Sequence, residues 1–352
     1  MKFEVISEND FRAFAKKSPY KSFMQTPEIA SLREQNGWTP YYFAAKQDEK
    51  ILAATMAVAK PTFLGKSLYY APGGPLIDLE NTKLVNFFFN HLKRYIKSHN
   101  GYTLRIDPYY ELVQRDRDGQ KVPGGFSHKK AITNLINLGF KTVSHSDQPK
   151  YLFALDIEKR TPDELLASFK RNTRNHIRKA EKMGVEIREL TKDELPILKK
   201  ITESTSFRRG FTDRPLSYYE QMYDLFSSKD EVKFIVAEAN DTPLSAAMFM
   251  TYGDEVIYLF SGSDEKYMKE YNAQYLIQWY MIKYAAEHNF ERYNFYGING
   301  LPDPASPDYG IYSFKKGFGG QVIELIGTFD LALSPLYYLH DLLQKTKAAL
   351  KH

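Results

Sequence analysis

YGIYSFKKGFGG, residues 309–320, places four aromatic rings, two adjacent lysines and four glycines within twelve positions. No acidic residue lies in this segment to neutralise Lys315 and Lys316. An ammonium group against apolar surface is costly unless an anion approaches it or its head reaches water. We therefore interpret the segment as one that holds a cation where negative charge develops during a reaction. The alternative is a short helix that ends with lysines favourable to its dipole and with Gly317 as a left-handed cap.

The composition is that of a globular protein of two domains, since 352 residues with 43% hydrophobic and 26% charged side chains can bury a large core. Cysteine is absent, which excludes disulfides, thiolate metal sites and a cysteine nucleophile. The eight histidines show no spacing typical of a zinc site, and no GxSxG nucleophile motif is present. We expect neither a metal nor a cofactor.

The first ten residues, MKFEVISEND, have the pattern of a strand with acidic side chains and not that of a signal peptide. No apolar run approaches the roughly 18–20 residues needed to span a bilayer. We therefore expect a cytoplasmic protein. The net charge of +5 favours polyanionic partners only weakly.

A set of predicted elements occurs twice along the chain. The first copy comprises strands at 41–46, 51–60, 67–70 and 102–106, with helices at 84–97 and 132–139. The second comprises strands at 233–238, 243–251, 255–260 and 292–296, with helices at 273–287 and 311–319. With the elements before them, both copies read β–α–α–β–β–β–α–β–α, which predicts an α+β protein built by internal duplication. This order resembles the acyltransferase fold of the GNAT superfamily.

The resemblance implies two GNAT-like domains that share a cleft. We place the first at residues 1–150, rejoined by the C-terminal segment 320–352, and the second at 151–319. Within the second, Thr161 and Glu164 form a capping box that opens a helix predicted to run to about Met183. A second capping box is predicted at Thr191 and Glu194.

Acetyl-CoA-dependent enzymes of this fold bind pyrophosphate on a glycine-rich turn that opens the main helix. The corresponding segment of the second copy, residues 263–272, is predicted to be a turn and contains no glycine. In the first copy, residues 75–82, the glycines lie only at the strand end that precedes it. A coenzyme A donor is therefore disfavoured.

The segment 168–184, SFKRNTRNHIRKAEKMG, is a strongly basic helix. Arg171, Arg174 and Arg178 recur at i, i+3 and i+7 and so share one face. Arginines in this arrangement suit the phosphates of an RNA or a nucleotide. The alternative is a solvated face with no ligand.

Arginines also surround a turn in the segment 206–219, SFRRGFTDRPLSYY. Arg208, Arg209 and Arg214 beside aromatic rings suit a nucleotide diphosphate, with guanidinium groups on phosphate and a ring on the base. The alternative is arginines that cap helix ends. Asp107, which precedes a proline at a strand end, is a candidate base or amine anchor, or part of an ordinary turn.

Taken together, these segments resemble the FemX/FemA family of aminoacyl-tRNA-dependent peptidoglycan bridge transferases. The resemblance extends over nearly the whole chain and rests on QTPEIASLREQNGW, YYAPGGP, LRIDP, SFKRNTRNHIRKAEKMGV, FTDRPLSYY, VIYLFSGS, YNFYGI, FKKGFGG and IGTFDLALSPLYYLH. Larger members carry a helical arm in the second domain. Here Phe226 is followed within a few residues by the strand at Lys233, which resembles the short FemX type.

The resemblance assigns roles to individual residues. Phe314 and Lys315 match the pair that supports the tRNA 3′ end and the tetrahedral intermediate, and Asp107 matches an acid near the acceptor. The residues expected to bind the UDP-linked precursor are Thr212, Arg214, Tyr218, Tyr258, Trp38 and Arg33. Those expected to bind tRNA are Arg171, Arg174, Arg178 and Lys316. Gly73 stands where the family usually has an arginine, which is a departure from its pattern.

The implied reaction transfers Ala, Ser or Gly from aminoacyl-tRNA to the lysine side-chain amine of UDP-MurNAc-pentapeptide, or of a lipid-linked precursor, and so starts the interpeptide bridge. We expect a monomer without a stable protein partner. Positioning two bound reactants supplies much of the rate, so a dedicated protein base is not required. Two alternatives stay open: a non-catalytic RNA- or nucleotide-binding protein of degenerate GNAT repeats, and an acyl-CoA-dependent N-acyltransferase.

Overall fold

The computed structural model describes residues 1–143, 146, 148–210, 212–339 and 342. The chain forms two compact units. The first consists of Met1–Gln114, Gly124–Lys150 and Glu324–His352, and the second of Arg115–Pro123 and Tyr151–Ile323. The segment Arg115–Pro123, which the sequence placed in the first domain, thus belongs to the second unit.

The first unit contains most of the N-terminal half of the chain. Its elements are β1 (Lys2–Val5), α1 (Glu8–Lys17), α2 (Pro27–Gln35), β2 (Thr39–Gln47), β3 (Lys50–Pro61), β4 (Ser67–Ala71), α3 (Thr82–Ser98), β5 (Gly101–Ile106), β6 (Glu111–Gln114), α4 (Lys129–Asn137) and β7 (Phe140–Thr142). Helix α2 begins where its sequence predicts, because the Thr26 hydroxyl accepts the Ile29 N–H at 3.3 Å and Pro27 needs no partner at the first helical position.

The second unit repeats this order after one additional strand and two helices. Its elements are β8 (Tyr151–Asp156), α5 (Pro162–Ser168), α6 (Arg171–Lys182), β9 (Glu186–Glu189), α7 (Leu195–Arg209), α8 (Leu216–Phe226), β10 (Val232–Ala239), β11 (Thr242–Tyr252), β12 (Glu255–Ser263), α9 (Glu265–Tyr271), α10 (Ala273–Glu287), β13 (Arg292–Ile298), α11 (Tyr309–Lys316) and β14 (Gln321–Leu325). The chain returns to the first unit at Glu324, within β14, and strand β15 (Phe329–Ala332) follows there.

The seven strands of the first sheet correspond in order to seven of the eight strands of the second, which confirms the predicted duplication. In the first unit the order is β1-β2-β3-β4-β5-β15-β7, and the corresponding strands of the second are β9-β10-β11-β12-β13-β8-β14. The fourth and fifth strands of each series, β4 with β5 and β12 with β13, pair in parallel. The sixth strand pairs antiparallel to the fifth in both units. These sixth strands, β15 in the first unit and β8 in the second, are not among the elements that the two copies share.

Each unit has a core of its own, rich in aromatic rings. In the first, residues such as Phe43, Phe88 and Leu104 are fully buried. In the second, the fully buried Phe153 and Phe295 lie with Phe169 and Trp279. Burial of large side chains provides most of the favourable free energy of folding. No helix in the described part of the chain is long and apolar enough to cross a bilayer.

Two predictions about local structure were wrong. The helix predicted from Thr161 to about Met183 is two helices, because Phe169 and Lys170 have extended backbones between α5 and α6. The break buries the Phe169 ring, whose centroid lies 5.6 Å from that of Trp279. The turn predicted at residues 263–272 is instead largely the short helix α9, with Asp264 as its N-cap. Both predicted capping boxes are confirmed.

Gly320 offers a test of the close packing beside α11. Its φ is +89°, and a Cβ at this position would lie 2.2 Å from the backbone oxygen of Ala154. We predict that Gly320→Ala destabilises the protein by about 1–3 kcal/mol more than Gly184→Ala. Gly184 is the matched control because its φ is +71° and no atom of the described residues lies within 4 Å of the added Cβ. Urea unfolding of both variants measures the difference, and equal stabilities would contradict the steric argument.

Candidate active site

Lys315 is a buried cation held by backbone oxygens. Its side chain lies on α11 and the residue is only 5% exposed. Its Nζ donates hydrogen bonds to the carbonyl oxygen of Gly297 at 2.5 Å and to that of Tyr296 at 3.3 Å. Burial lowers the pKa of Lys315 to about 7, because removal from water penalises the charged form. This lysine can therefore change its protonation near neutral pH.

The two carbonyls face Lys315 because β13 is irregular at this point. The register between β13 and β8 shifts between Asn294 and Gly297. Tyr296 has a φ of +61°, a conformation that costs a non-glycine residue of order 1–3 kcal/mol. The side-chain oxygen of Asn294 accepts the Tyr296 N–H at 2.8 Å and so holds this bulge. Strain of this kind is typical of functional sites.

The glycines after the two lysines allow α11 to pack against α6. A Cβ on Gly317 would lie 2.4 Å from the Thr173 hydroxyl oxygen, and the Gly317 carbonyl accepts the Lys170 N–H at 2.9 Å. Gly317 has a φ of −59°, so the left-handed cap considered at this position is wrong. The left-handed glycines of the segment are Gly319 and Gly320.

Phe314 is half-buried in a group of aromatic rings. Its centroid lies 4.9 Å from that of Tyr275 and 5.4 Å from that of Phe318. The Tyr275 ring in turn lies 4.5 Å from the ring of His176 on α6. Burial lowers the pKa of His176, which favours the neutral imidazole. Phe314 therefore belongs to a partly exposed aromatic surface next to the basic helix.

Lys316, the neighbour of Lys315, has a different environment. Its ammonium forms an ion pair with the carboxylate of Asp118 and lies 5.4 Å above the ring of Tyr312. The hydrogen bond from Lys316 holds the pKa of Asp118 below its usual range. Lys316 therefore has an intramolecular partner, whereas Arg171 and Arg178 on α6 are exposed.

Arg174 differs from the other two arginines of the predicted stripe. Its Nη1 donates to the carbonyl oxygens of Phe169 at 2.5 Å and Ala167 at 2.9 Å. These carbonyls lie at the C-terminal end of α5, where backbone oxygens lack helical partners. Arg174 thus closes the break between α5 and α6.

Asp107 is the centre of a polar cluster in the first unit. Its Oδ2 accepts the Tyr70 hydroxyl and its Oδ1 accepts the Gly73 N–H, both at 2.5 Å. Burial raises the pKa of Asp107 to about 7 although both hydrogen bonds favour the carboxylate. The Arg33 guanidinium lies 5.8 Å from the Tyr70 ring and 5.9 Å from the Trp38 ring. The structure thus gathers three predicted residues, Asp107, Arg33 and Trp38, around Tyr70.

Gln25 positions the turn that supplies the Gly73 N–H. Its fully buried amide donates to the carbonyl oxygen of Pro72 at 2.7 Å and accepts the Met56 N–H at 2.8 Å. A Cβ on Gly74 would lie 2.5 Å from the Gln25 side chain, so glycine is required there. Gln25 and Tyr70 were not predicted as site residues, although both lie in segments that carry the family resemblance.

Arg214 and Tyr218 lie together in the second unit. The Arg214 guanidinium is 5.3 Å from the Tyr218 ring centroid and 6.0 Å from that of Phe260. Both Arg214 and Thr212 are exposed. An arginine stacked on aromatic rings keeps its donors free for an anion.

Asp213 anchors the loop that carries Arg214 and was also missed. Its carboxylate accepts Lys199 at 2.8 Å, the Thr202 hydroxyl at 2.9 Å and the Tyr219 hydroxyl at 2.9 Å. Burial opposes ionisation, yet these hydrogen bonds lower the pKa of Asp213. Its neighbours in the sequence are therefore held in a defined position.

Tyr258 lies on β12, and its hydroxyl donates to the side chain of Ser261. Burial raises the pKa of Tyr258 to about 12, so its hydroxyl stays protonated at neutral pH. It is therefore available as a neutral hydrogen-bonding group.

Comparisons with known proteins agree with this architecture. The model of the FemAB family matches residues 6–242 and 233–345. The chain belongs to the FemAB family. It is 29% identical to aminoacyltransferase FemA of Staphylococcus aureus (strain bovine RF122 / ET3-1) and 28% identical to FemA of strain MRSA252, in each case over 418 residues and 99% of both chains. Because these alignments are longer than the 352-residue chain, FemA carries insertions relative to this FemAB protein.

Solved structures show the same fold. The crystal structure of FemX superposes with a TM-score of 0.83 at 23% identity, and the match covers 96% of this chain and 99% of that one. A tandem GNAT protein from the clavulanic acid biosynthesis pathway matches with a TM-score of 0.55 at 11% identity, over 95% and 99% of the two chains. The predicted pair of GNAT-like domains is confirmed. In this FemAB protein α8 ends at Phe226 and β10 begins at Val232, which leaves no room for a helical arm between them.

The lowered pKa of Lys315 predicts that turnover depends on pH. The cationic fraction falls as pH rises through about 7, so a reaction that needs this cation slows on the alkaline side. Lys315→Arg keeps its charge at all accessible pH values, and the ratio of wild-type to Lys315→Arg turnover should therefore decline above pH 7. Lys315→Ala should lose about 10²–10³ in turnover, as removal of an oxyanion donor does. A ratio that stays constant from pH 6 to pH 9 would exclude the charged form as the active one.

The pKa of Asp107 predicts a dependence of stability on pH. Because its pKa is raised from 3.8 to about 7, the folded protein binds an additional proton in this range. The stability contributed by the neutral carboxyl is lost as pH rises towards 7. Relative to wild type, Asp107→Asn should therefore gain in melting temperature between pH 5 and pH 8. A difference in melting temperature that is independent of pH would show that Asp107 ionises without a penalty.

Proposed function

We propose that the chain, an aminoacyltransferase of the FemAB family, transfers an amino acid from aminoacyl-tRNA to the side-chain amine of a peptidoglycan precursor. The observation that carries the proposal is Lys315. It is a buried lysine whose charge is held by carbonyl dipoles, and no acid among the residues that the structure describes pairs with it. Such a group strongly stabilises negative charge that develops beside it.

The reaction is the aminolysis of an ester. The neutral amine of the acceptor attacks the carbonyl carbon of the aminoacyl ester, and a carbon–nitrogen bond forms. The carbonyl oxygen becomes an oxyanion, which the Lys315 ammonium stabilises. The carbon–oxygen bond then breaks, and the 3′ oxygen of the tRNA leaves with the proton given up by the amine. Atoms and charges balance without a cofactor.

For the tRNA we propose the exposed arginines of α6 and the aromatic surface at Phe314. Arg171 and Arg178 present two cations to solvent, and a phosphate backbone is the ligand that such a helix suits. Arg174 donates to two carbonyls of its own chain, so its contribution to binding would be smaller. Phe314 offers a ring on which the terminal base can stack.

For the acceptor we propose UDP-MurNAc-pentapeptide, with Ala, Ser or Gly as the amino acid transferred. In this proposal Arg214, whose guanidinium lies over the Tyr218 ring, binds the diphosphate with its planar fork, and Thr212 and Tyr258 contribute hydroxyl groups. In the first unit, Asp107 with Arg33 and Trp38 is the proposed contact for the acceptor. A lipid-linked precursor carries a diphosphate as well and is the alternative substrate.

The experiment combines the protein with UDP-MurNAc-pentapeptide and a panel of individually charged tRNAs, and the product is identified by mass. We expect a mass increase of one residue for one of the alanyl, seryl or glycyl donors. Acetyl-CoA as sole donor serves as the control for a conventional acyltransferase. Product from acetyl-CoA alone, or no product from any charged tRNA, would refute the proposal.

Arg214 provides a separate prediction for precursor binding. Arg214→Ala should weaken binding of the UDP-linked precursor by roughly 1.5–3 kcal/mol, the typical contribution of a charged hydrogen bond. Arg214→Lys keeps the charge but loses the planar fork, and we expect it to recover only part of the loss. Calorimetry without tRNA measures both affinities. Wild-type affinity in Arg214→Ala would remove this residue from the precursor site.

A further inference from the structure

The loop Arg115–Pro123 belongs to the second unit although the residues on both sides of it belong to the first. It is a tightly folded turn. The Asp116 side chain accepts the N–H groups of Asp118 and Gln120, both at 2.9 Å. Arg115 donates to the carbonyl oxygen of Gly119 at 2.5 Å. The loop therefore has a defined shape of its own.

This loop contacts α11 at two side chains. The Tyr312 hydroxyl donates to the carbonyl oxygen of Arg117 at 2.7 Å, and the Tyr312 ring is buried. One helical turn later, the Lys316 ammonium pairs with the Asp118 carboxylate. Tyr312 and Lys316 are four residues apart and so lie on the same face of the helix. The loop thus contacts one face of α11 through two side chains.

The loop also contacts the chain on both sides of α11. After the helix, the N–H of Val322 donates to the carbonyl oxygen of Asp116 at 3.2 Å. Before it, Gly119 lies so close to Pro302 that an added Cβ would be 2.7 Å from the proline ring. The loop therefore bridges the start and the end of the segment that carries the two lysines.

We propose that this loop is a strap that positions α11, and that Asp118 is the positioning residue through which it orients Lys315. Adjacent helical residues point about 100° apart. Fixing Lys316 on Asp118 therefore sets the rotation of the helix at which Lys315 reaches the carbonyls of Tyr296 and Gly297. The inference rests on the proposed function of Lys315 and adds a role for Lys316 other than tRNA contact.

The strap should affect the reaction more than the stability of the fold. An ion pair with an exposed carboxylate contributes little to stability on its own, and the Asp118 side chain is 54% exposed. A catalytic group displaced by about 1 Å can nevertheless lose about 10²-fold in rate. Loss of the pair should therefore lower kcat while the protein stays folded.

The test compares Asp118→Ala and Asp118→Asn with Gln120→Ala, whose side chain lies in the same loop and is exposed. We expect both Asp118 variants to lose about tenfold to 10²-fold in kcat, with the KM for tRNA and for precursor unchanged. The exchanged pair, Asp118→Lys with Lys316→Asp, should recover most of the loss. Gln120→Ala should behave as wild type.

Hydrogen–deuterium exchange gives a second readout that does not depend on activity. Exchange in peptides covering residues 309–320 should be faster in Asp118→Ala, with the rest of the second unit unchanged. Tyr312→Phe removes the other contact and should have a smaller effect in the same direction.

Three outcomes would overturn the proposal that the loop positions α11. Wild-type kcat and wild-type exchange in Asp118→Ala would show that the pair orders nothing. A raised KM for tRNA with unchanged kcat would assign Lys316 to substrate binding instead. A loss of kcat matched by a general loss of exchange protection and of melting temperature would mean that Asp118 only supports the fold. If wild type forms no product at all, the proposed function fails, and the exchange measurement still decides whether Asp118 orders α11.

Discussion

The contact on which the site depends is the one between the Lys315 ammonium and the carbonyl oxygens of Tyr296 and Gly297. A buried lysine paired with a carboxylate would be held more firmly, but its field would be cancelled by the partner. Carbonyl dipoles hold the cation with only partial charges, so most of its field stays available to a new anion. The low pKa of Lys315 follows from this arrangement, because no group in the described part of the chain fully compensates for its removal from water. The strained backbone of Tyr296 is what turns the dipoles towards it.

The duplicated fold makes a comparison between the two units possible. Asp107 directly follows β5, the fifth strand of the first sheet, and Lys315 binds the second half of β13, the fifth strand of the second. In both units, therefore, an ionisable group is buried at the same end of equivalent strands. Burial brings both pKa values to about 7 from opposite directions. The group buried at this place is a carboxyl in the first unit and an amine in the second.

Local features of the fold could be predicted from the sequence, and those that depend on distant residues could not. The caps at Thr161 and Thr191 follow from residues within one turn and were predicted correctly. The break at Phe169 was missed because it depends on the burial of that ring against Trp279, more than a hundred positions away. Helical periodicity continues through such a break and gives no sign of it.

The candidate site shows the same division. The sequence singled out Lys315, since two lysines among aromatic rings are unusual, but the carbonyls that hold it depend on a bulge in another element. Asp118 lay in a polar loop with no signal of its own, and it meets Lys316 across 198 positions of the chain. Gln25 was missed for a related reason. Its side-chain amide accepts the Met56 N–H and donates to the Met56 carbonyl oxygen, the two hydrogen bonds that a neighbouring strand would otherwise make. This contact depends on how the backbone folds and cannot be read from the sequence.

The two adjacent lysines of α11 have opposite environments: Lys316 is paired with an acid, and Lys315 is buried against backbone carbonyls. Lys316 has an acid and an aromatic face, so burial, which would lower its pKa, is outweighed and its charge is secure. A cation compensated in this way cannot respond strongly to a further anion, but it can fix the rotation of the helix. Lys315 is the reverse: it is poorly compensated and therefore responsive, and a poorly compensated group tends to escape to water unless its backbone is held. In the strap that we propose, the ion pair of Lys316 holds the helix that also carries Lys315, and so keeps the buried ammonium of Lys315 in place.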